Sequence, residues 1–335
     1  MNKERTTLKD ISLKTGFSIK TVSRAINQQG EISEETREKI LNATEEMDYY
    51  PNLIAKGLRK NKTYTIGYIV HDINNEFYGN VGISIEKKFK EYGYNTLITF
   101  TEDNPATEIQ ALKLFISKRV DGIILSTCGL TKNYVKNIID KIPLVVIDNE
   151  INGLKTNLLI ADNLNGSYLL TKHLIKNGHT DIACITGPLY RTCGITRLSG
   201  YKKALSEFNI EEKEKLIKIS NWKMEGGYSS TIELIKENIN CLSAIFYANS
   251  IMALGGYKAL REMNLKIPKD IAIVAFDNFE FVEALNPPLT TLSEVGKNTG
   301  KAAAKFLYKN ILNKEITNYK KKIIKSRLCI RESSN

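Results

Sequence analysis

TLKDISLKTGFSIKTVSRAIN, residues 7–27, sets the start of the chain apart from the rest. Thr7 followed three residues later by Asp10 is a capping-box-like start, a hydroxyl and a carboxylate that take the first free N–H groups of a helix. Leu8, Ile11 and Leu13 give that helix an apolar side, and Gly16 supplies the left-handed residue that ends it. After the apolar Phe17, Ser18 caps a second helix running to Asn27, with Val22, Ala25 and Ile26 turned inward. A third helix begins at Ser33 with Glu34 and Glu35 in its first turn, and it directs Ile40, Leu41, Thr44 and Met47 inward. Two short helices joined by a glycine turn and buttressed by a third form the helix-turn-helix pattern.

The rest of the chain reads differently. Apolar runs near 64–71, 94–101, 120–127, 143–148, 158–161, 181–186, 216–220, 243–248, 271–276 and 289–293 have the composition of buried parallel strands. Between them lie helical patterns at 79–92, 107–118, 163–177, 197–208, 226–239, 250–263 and 296–312. Repeated strand–helix units imply parallel sheets covered on both faces. So many strands fit two doubly wound lobes better than one sheet.

Composition narrows the function. With 42% hydrophobic and 25% charged residues among 335, the chain is globular rather than disordered. No run approaches the roughly 20 apolar residues of a membrane span, and the charged start MNKERTTLKD lacks the apolar core of a signal peptide. A cytoplasmic protein without membrane contact is expected. Five cysteines (Cys128, Cys184, Cys193, Cys241, Cys329) show neither CxxC nor metal-ligand spacing and are expected as reduced thiols packed like small hydrophobes. Three histidines without HExxH, and no P-loop, GxGxxG or Ser-His-Asp motif, argue against an enzyme, a metal site or a cofactor.

The net charge of +11 suggests a polyanionic partner, but it is unevenly placed. Residues 1–30 carry six basic against two acidic side chains, residues 31–50 two against seven, and residues 51–62 four against none. The third helix is therefore expected to face away from phosphate. Residues 63–300 balance at 26 of each sign, and residues 301–335 hold ten basic against two acidic, read as a solvated lysine-rich surface.

The opening stretch, with SEETREKI (33–40), YPNLIAKGLR (50–59) and TIGYIVHDINNEFY (65–78), resembles the LacI/GalR family of bacterial transcription regulators. The resemblance continues in order through VDGIILS (120–126), PLVVIDN (143–149), GHTDIACITGP (178–188), RLSGY (197–201), FYANSIMALG (246–255), IPKDIAIVAFDN (267–278) and PPLTTL (287–292). It implies a helix-turn-helix domain over 1–50, a hinge helix or linker over 51–62, and an effector-binding, dimerising domain over 63–335. That last domain is expected to have the fold of periplasmic sugar-binding proteins, with lobe 1 about 63–162 and 293–325 and lobe 2 about 163–292.

Carried onto this sequence, the resemblance makes Ile19, Lys20 and Arg24 base-reading residues of a double-stranded DNA operator. Arginine can read guanine bidentately, lysine offers one charged donor, and isoleucine packs on a thymine methyl. Thr7, Thr21, Ser23 and Asn27 would hold phosphates. Leu58, beside Arg59, would wedge into the minor groove from the hinge. A repressor acting as a homodimer is implied, since two half-sites are read with two-fold symmetry and the chain ends without leucine heptads.

The strand ends carry the candidate effector chemistry. Asp72 with Phe77 and Tyr78, Asp148, Asn249 and Asp277 each follow an apolar run, where open α/β sheets bind ligands. Arg197 opens RLSGY, Arg191 precedes it by six residues, and Trp222 falls where the family places an aromatic stacking surface. Carboxylate acceptors, a guanidinium donor and an aromatic face suit a sugar. Ser250 and Asn278 stand where many relatives have Asp, and two arginines would also suit a phosphorylated sugar or a nucleobase. A solute-binding protein would share the large fold but not the helix-turn-helix.

Overall fold

The computed structural model describes residues 6–50, 62–72, 75–238, 241–293, 295–313 and 319–335. The chain divides into two compact units, Met1–Thr63 and Tyr64–Asn335.

The first unit holds α1 (Leu8–Thr15), α2 (Ile19–Ile26) and α3 (Glu34–Glu46). Each starts on a hydroxyl cap. Thr7 and Asp10 form the full reciprocal box, Ser18 Oγ accepts the Thr21 N–H at 3.1 Å, and Ser33 Oγ accepts that of Thr36 at 3.3 Å. Gly16 ends α1 at φ +74°, a backbone that a Cβ would disfavour. The core is Ile11, Val22, Ala25, Ile40 and Ala43. Two expected members are absent: Leu13 is 74% exposed and Leu41 is also exposed. A helix turns about 100° per residue, so Leu13 lies roughly 200° round from Ile11, and Leu41 is rotated out beside the inward Ile40. The small Ala43 is, with Ile40, one of the two buried residues of α3.

The second unit contains two parallel sheets. The first has the order β11-β5-β4-β3-β1-β2, built from β1 (Thr65–Val70), β2 (Asn95–Phe100), β3 (Gly122–Ser126), β4 (Leu144–Ile147), β5 (Asn157–Ala161) and β11 (Lys321–Ile324). The second has the order β7-β6-β8-β9, from β6 (Ile182–Thr186), β7 (Ile217–Ile219), β8 (Ala244–Tyr247) and β9 (Ala272–Ala275). A short antiparallel pair joins β10 (Thr291–Leu292) to β12 (Leu328–Cys329). Helices α4 (Glu76–Glu91), α5 (Pro105–Ser117), α6 (Lys132–Ile138) and α11 (Val295–Asn313) accompany the first sheet, and α7 (Asn163–Lys176), α8 (Thr192–Glu207), α9 (Met224–Asn238) and α10 (Ser250–Glu262) the second.

Strands β3, β4, β6, β8 and β9 are buried throughout, as strands covered on both faces must be. Strand order reverses between β1 and β3 in the first sheet and between β6 and β8 in the second. Those reversals open a crevice at the carboxyl ends of the strands. The chain passes between lobes near residues 162, 293 and 326. Its last turn returns to the second lobe, where Ser333 Oγ donates to the Ile273 carbonyl at 2.7 Å and Ser334 Oγ pairs with Thr290 Oγ1 at 2.6 Å.

Cys128, Cys184 and Cys193 are buried as packed thiols, whereas Cys241 is exposed, against expectation. It stands just after α9, at the chain's turn towards β8. No helix among the described residues is long and apolar enough to cross a membrane.

Candidate functional site

In the first unit, α2 divides into two faces. Val22 and Ala25 are buried, while Ile19 (48% exposed), Lys20 and Arg24 project outward with Ser23 and Asn27 at their flank. Residues 19, 20, 23, 24 and 27 share one side at helical spacing. A large apolar side chain held in water beside two cations is an arrangement suited to a groove edge that offers both methyls and acceptors.

The expected phosphate contacts are less uniform. Thr7 donates its one hydroxyl proton to Asp10 Oδ2 at 2.6 Å, so it serves as a cap. Thr21 Oγ1 shares a hydrogen bond with Ser18 at 2.9 Å, and Asn27 Nδ2 donates to the Ser23 carbonyl at 2.7 Å, leaving its second amide proton for other use. Leu58 and Arg59 lie outside the described residues, as does the proposed hinge segment apart from Lys62.

In the second unit, a cavity of about 630 Å³ lies in the crevice at the strand ends. Asp72, Phe77, Tyr78, Asp148, Arg191, Arg197, Trp222, Asn249 and Asp277 all line it. They come from both lobes and span about 200 positions of chain, and the strand ends bring them together.

Arg197, on the first turns of α8, is almost fully buried. Its Nε donates to Asn163 Oδ1 at 2.9 Å, its Nη1 donates to the Ala248 carbonyl and lies 3.6 Å from Asp277 Oδ2, and its guanidinium carbon sits 3.7 Å from the Phe276 ring centre. Asp277 Oδ1 is buried with no hydrogen-bond partner. Burial pushes the Asp277 carboxyl upward, and the Arg197 charge opposes that rise. A buried acceptor without a partner, on a residue that lines the cavity, is suited to a donor from a ligand.

Across the cavity, Asp148 accepts the Tyr78 hydroxyl at 2.9 Å. The indole of Trp222 forms another wall, 5.6 Å from Arg197, and its Nε1–H also lacks a partner. Asn249 is different, because both ends of its amide are engaged by the protein. It shapes the wall rather than offering a free group. Asn278, one residue beyond Asp277, accepts from Thr291 at 2.6 Å and from Arg331 at 3.2 Å.

Comparison with known proteins follows the same division. Residues 7–52 match the bacterial regulatory proteins of the lacI family, and residues 171–334 match a periplasmic binding protein-like domain. The transcriptional repressor PurR of Vibrio campbellii is 34% identical over 317 residues, covering 92% of this chain and 93% of that protein. The ribose operon repressor of Haemophilus influenzae is 33% identical over 328 residues, covering 98% of each. The chain belongs to the LacI family.

Its fold agrees over almost the whole length with a crystal structure of the lac repressor dimer bound to operator and the anti-inducer ONPF, with TM-score 0.87, 25% identity and 99% of each chain covered. This LacI-family member is a DNA-binding transcriptional repressor with a periplasmic-binding-protein-like domain, and its named relatives are regulators rather than enzymes.

Among the lining residues that escaped the sequence reading of this LacI-family chain are Asp103 and His71. Asp103, in the loop between β2 and α5, forms an ion pair with Arg191. His71, at the end of β1, places Nδ1 3.4 Å from Asp103 Oδ1. Burial first, and the charge of Arg191 second, hold the imidazole well below its usual range, so His71 is neutral at pH 7. Asp103 follows an exposed edge strand in a stretch of Thr, Glu, Asp and Asn, and nothing in that local pattern marks it as a cavity residue.

Proposed function

We propose that this repressor binds a pseudo-palindromic operator as a homodimer and takes an uncharged, hydroxyl-bearing ring, a carbohydrate, in the interlobe cavity. The observation that carries the ligand class is the unpartnered buried acceptor of Asp277, which lines the cavity together with the aromatic wall of Trp222. Carboxylates accept from sugar hydroxyls, and an indole face packs on the C–H face of a pyranose. The Haemophilus relative named for the ribose operon is consistent with this class. A nucleobase is the second reading, supported by the Trp222 and Arg197 planes, on which a flat ring could stack.

Dimerisation is supported by apolar exposure on the first lobe. Edge strand β2 leaves Leu97 and Ile98 exposed, and Ile83 on neighbouring α4 is 56% exposed. An uncovered apolar edge strand is a pairing hazard unless a partner covers it. Leu58 and Arg59 as minor-groove residues rest on the family resemblance alone. Ligand control then follows from differential binding. A ligand that favours one arrangement of the lobes shifts operator affinity, typically by about 1–3 kcal/mol.

Selection of random duplexes by the full-length chain tests the operator reading. Two inverted half-sites with centres about 10 base pairs or a small multiple apart, and two chains per duplex, are expected. A single asymmetric site bound by one chain would contradict it. A thermal-shift panel of neutral sugars and nucleobases tests the ligand reading, since a ligand held only by the folded state raises the Tm.

A further inference from the structure

Both cavity arginines are already matched by a carboxylate, and one of these matches crosses between the lobes. Arg197 has Asp277 within its own lobe. Arg191, at the start of α8 in the second lobe and 6% exposed, is ion-paired with Asp103 of the first lobe. The Tyr190 hydroxyl donates to the other oxygen of Asp103 at 3.3 Å.

The loop delivers Asp103 through two successive left-handed residues, Glu102 at φ +49° and Asp103 at φ +63°. Such a backbone is sparsely populated for a residue like Glu and persists where surrounding contacts hold it. Beyond the two ion pairs, the described lining residues include Glu102, Asp148 and Glu225 against the cation Lys223. His71 adds no charge while neutral.

We propose that Asp103 sets the charge preference of the cavity: by occupying Arg191 it bars anionic ligands, phosphorylated sugars among them, and leaves the site to uncharged ones. The inference rests on the cavity being the effector site. A phosphate would have to strip Asp103 from Arg191 and then sit among carboxylates that repel it. Removing the Asp103 charge leaves a buried guanidinium whose fork fits two phosphate oxygens. The two arginines therefore do not amount to an anion site, although the sequence alone allowed one.

The test compares full-length wild type, Asp103→Asn and Asp103→Glu by titration calorimetry at fixed ionic strength, with inorganic phosphate, glucose 6-phosphate and glucose as probes. Wild type and Asp103→Glu are expected to take up neither phosphate probe at millimolar concentration. Asp103→Asn is expected to bind them at least about tenfold more tightly, and adding Arg191→Met should remove that gain. Phosphate binding by the wild type that Arg191→Met abolishes, or no gain in a folded Asp103→Asn, overturns the proposal.

If Asp103→Asn does not fold, the double variant Asp103→Asn/Arg191→Met decides. Recovered folding shows that charge compensation is the role of Asp103, and continued failure shows that it is needed for packing instead. Failure of the carbohydrate reading would appear separately, as the absence of any neutral sugar that changes operator binding by the wild type.

Discussion

Asn249 holds Trp222 by its backbone. Its Nδ2 donates to the Trp222 carbonyl at 3.0 Å, while its Oδ1 accepts the Met252 N–H at 2.8 Å and so caps α10. Trp222 itself adopts a left-handed backbone at φ +65°, and its indole packs so closely on Gly187 that a Cβ there would fall 1.9 Å from the ring. The aromatic wall is thus fixed from both sides by residues that need not touch a ligand.

Asn249→Ala is expected to lose about 1 kcal/mol of stability through the cap and to loosen the indole. Gly187→Ala is expected to leave the fold intact but push the ring out of place. Trp222 is the only tryptophan, so its fluorescence and acrylamide quenching report both changes directly. Unchanged quenching in both variants would show that the wall is held by other contacts.

Asp277→Asn keeps the size of the side chain and removes its charge. Ligand affinity is expected to fall by about 1.5–3 kcal/mol, the usual worth of a hydrogen bond to a charged group, while operator binding without ligand stays at the wild-type level. Calorimetry with the best ligand from the thermal screen, alongside operator binding, separates the two effects. Loss of operator binding would assign Asp277 to structure.

The pH dependence of stability follows from the histidines. His71, His173 and His179 are all lowered from 6.5, in each case chiefly by burial. Protons therefore bind the unfolded chain in preference, and stability is expected to fall as pH drops below about 6.5, by at most ~1.4 kcal/mol per pH unit for each histidine. Urea midpoints at pH 7.5, 6.5 and 5.5 measure the slope, and His71→Gln should flatten it. A midpoint that rises on acidification would reverse the assigned direction.

For the reading helix, Arg24→Ala is expected to cost about 1–3 kcal/mol in operator affinity and to relax preference at one base pair. Anisotropy titrations against the selected operator and its single-base variants check this. An equal loss on every sequence would make Arg24 a phosphate contact instead.

Much of this was legible in residues that stand at strand ends. Asp72, Asp148, Asn249 and Asp277 follow apolar runs, and the reversal of strand order gathers them in one cavity. The caps at Thr7, Ser18 and Ser33 were legible because capping is local. Asp103 was not, since its meaning depends on Arg191, 88 residues away, and on a two-residue left-handed turn. Strand β11 was missed because KKII on a sheet edge leaves Lys321, Lys322 and Ile323 exposed and shows no buried-strand pattern. The seven-residue α6 buries only Val135 and Ile138, too little for a helical period to stand out. Leu13 and Leu41 misled because apolar character alone does not say which way a helix turns a side chain.

The central claim is that one chain reads DNA through α2 and that a ligand in the cavity governs that reading. Its most direct measurement is operator anisotropy with full-length wild type and Asp277→Asn, each titrated with the sugar found in the thermal screen. The account predicts that the sugar shifts wild-type operator affinity by about 5–150-fold, in either direction, and leaves Asp277→Asn nearly unmoved. An equal shift in both proteins, or none in a wild type shown to bind the sugar, would contradict it.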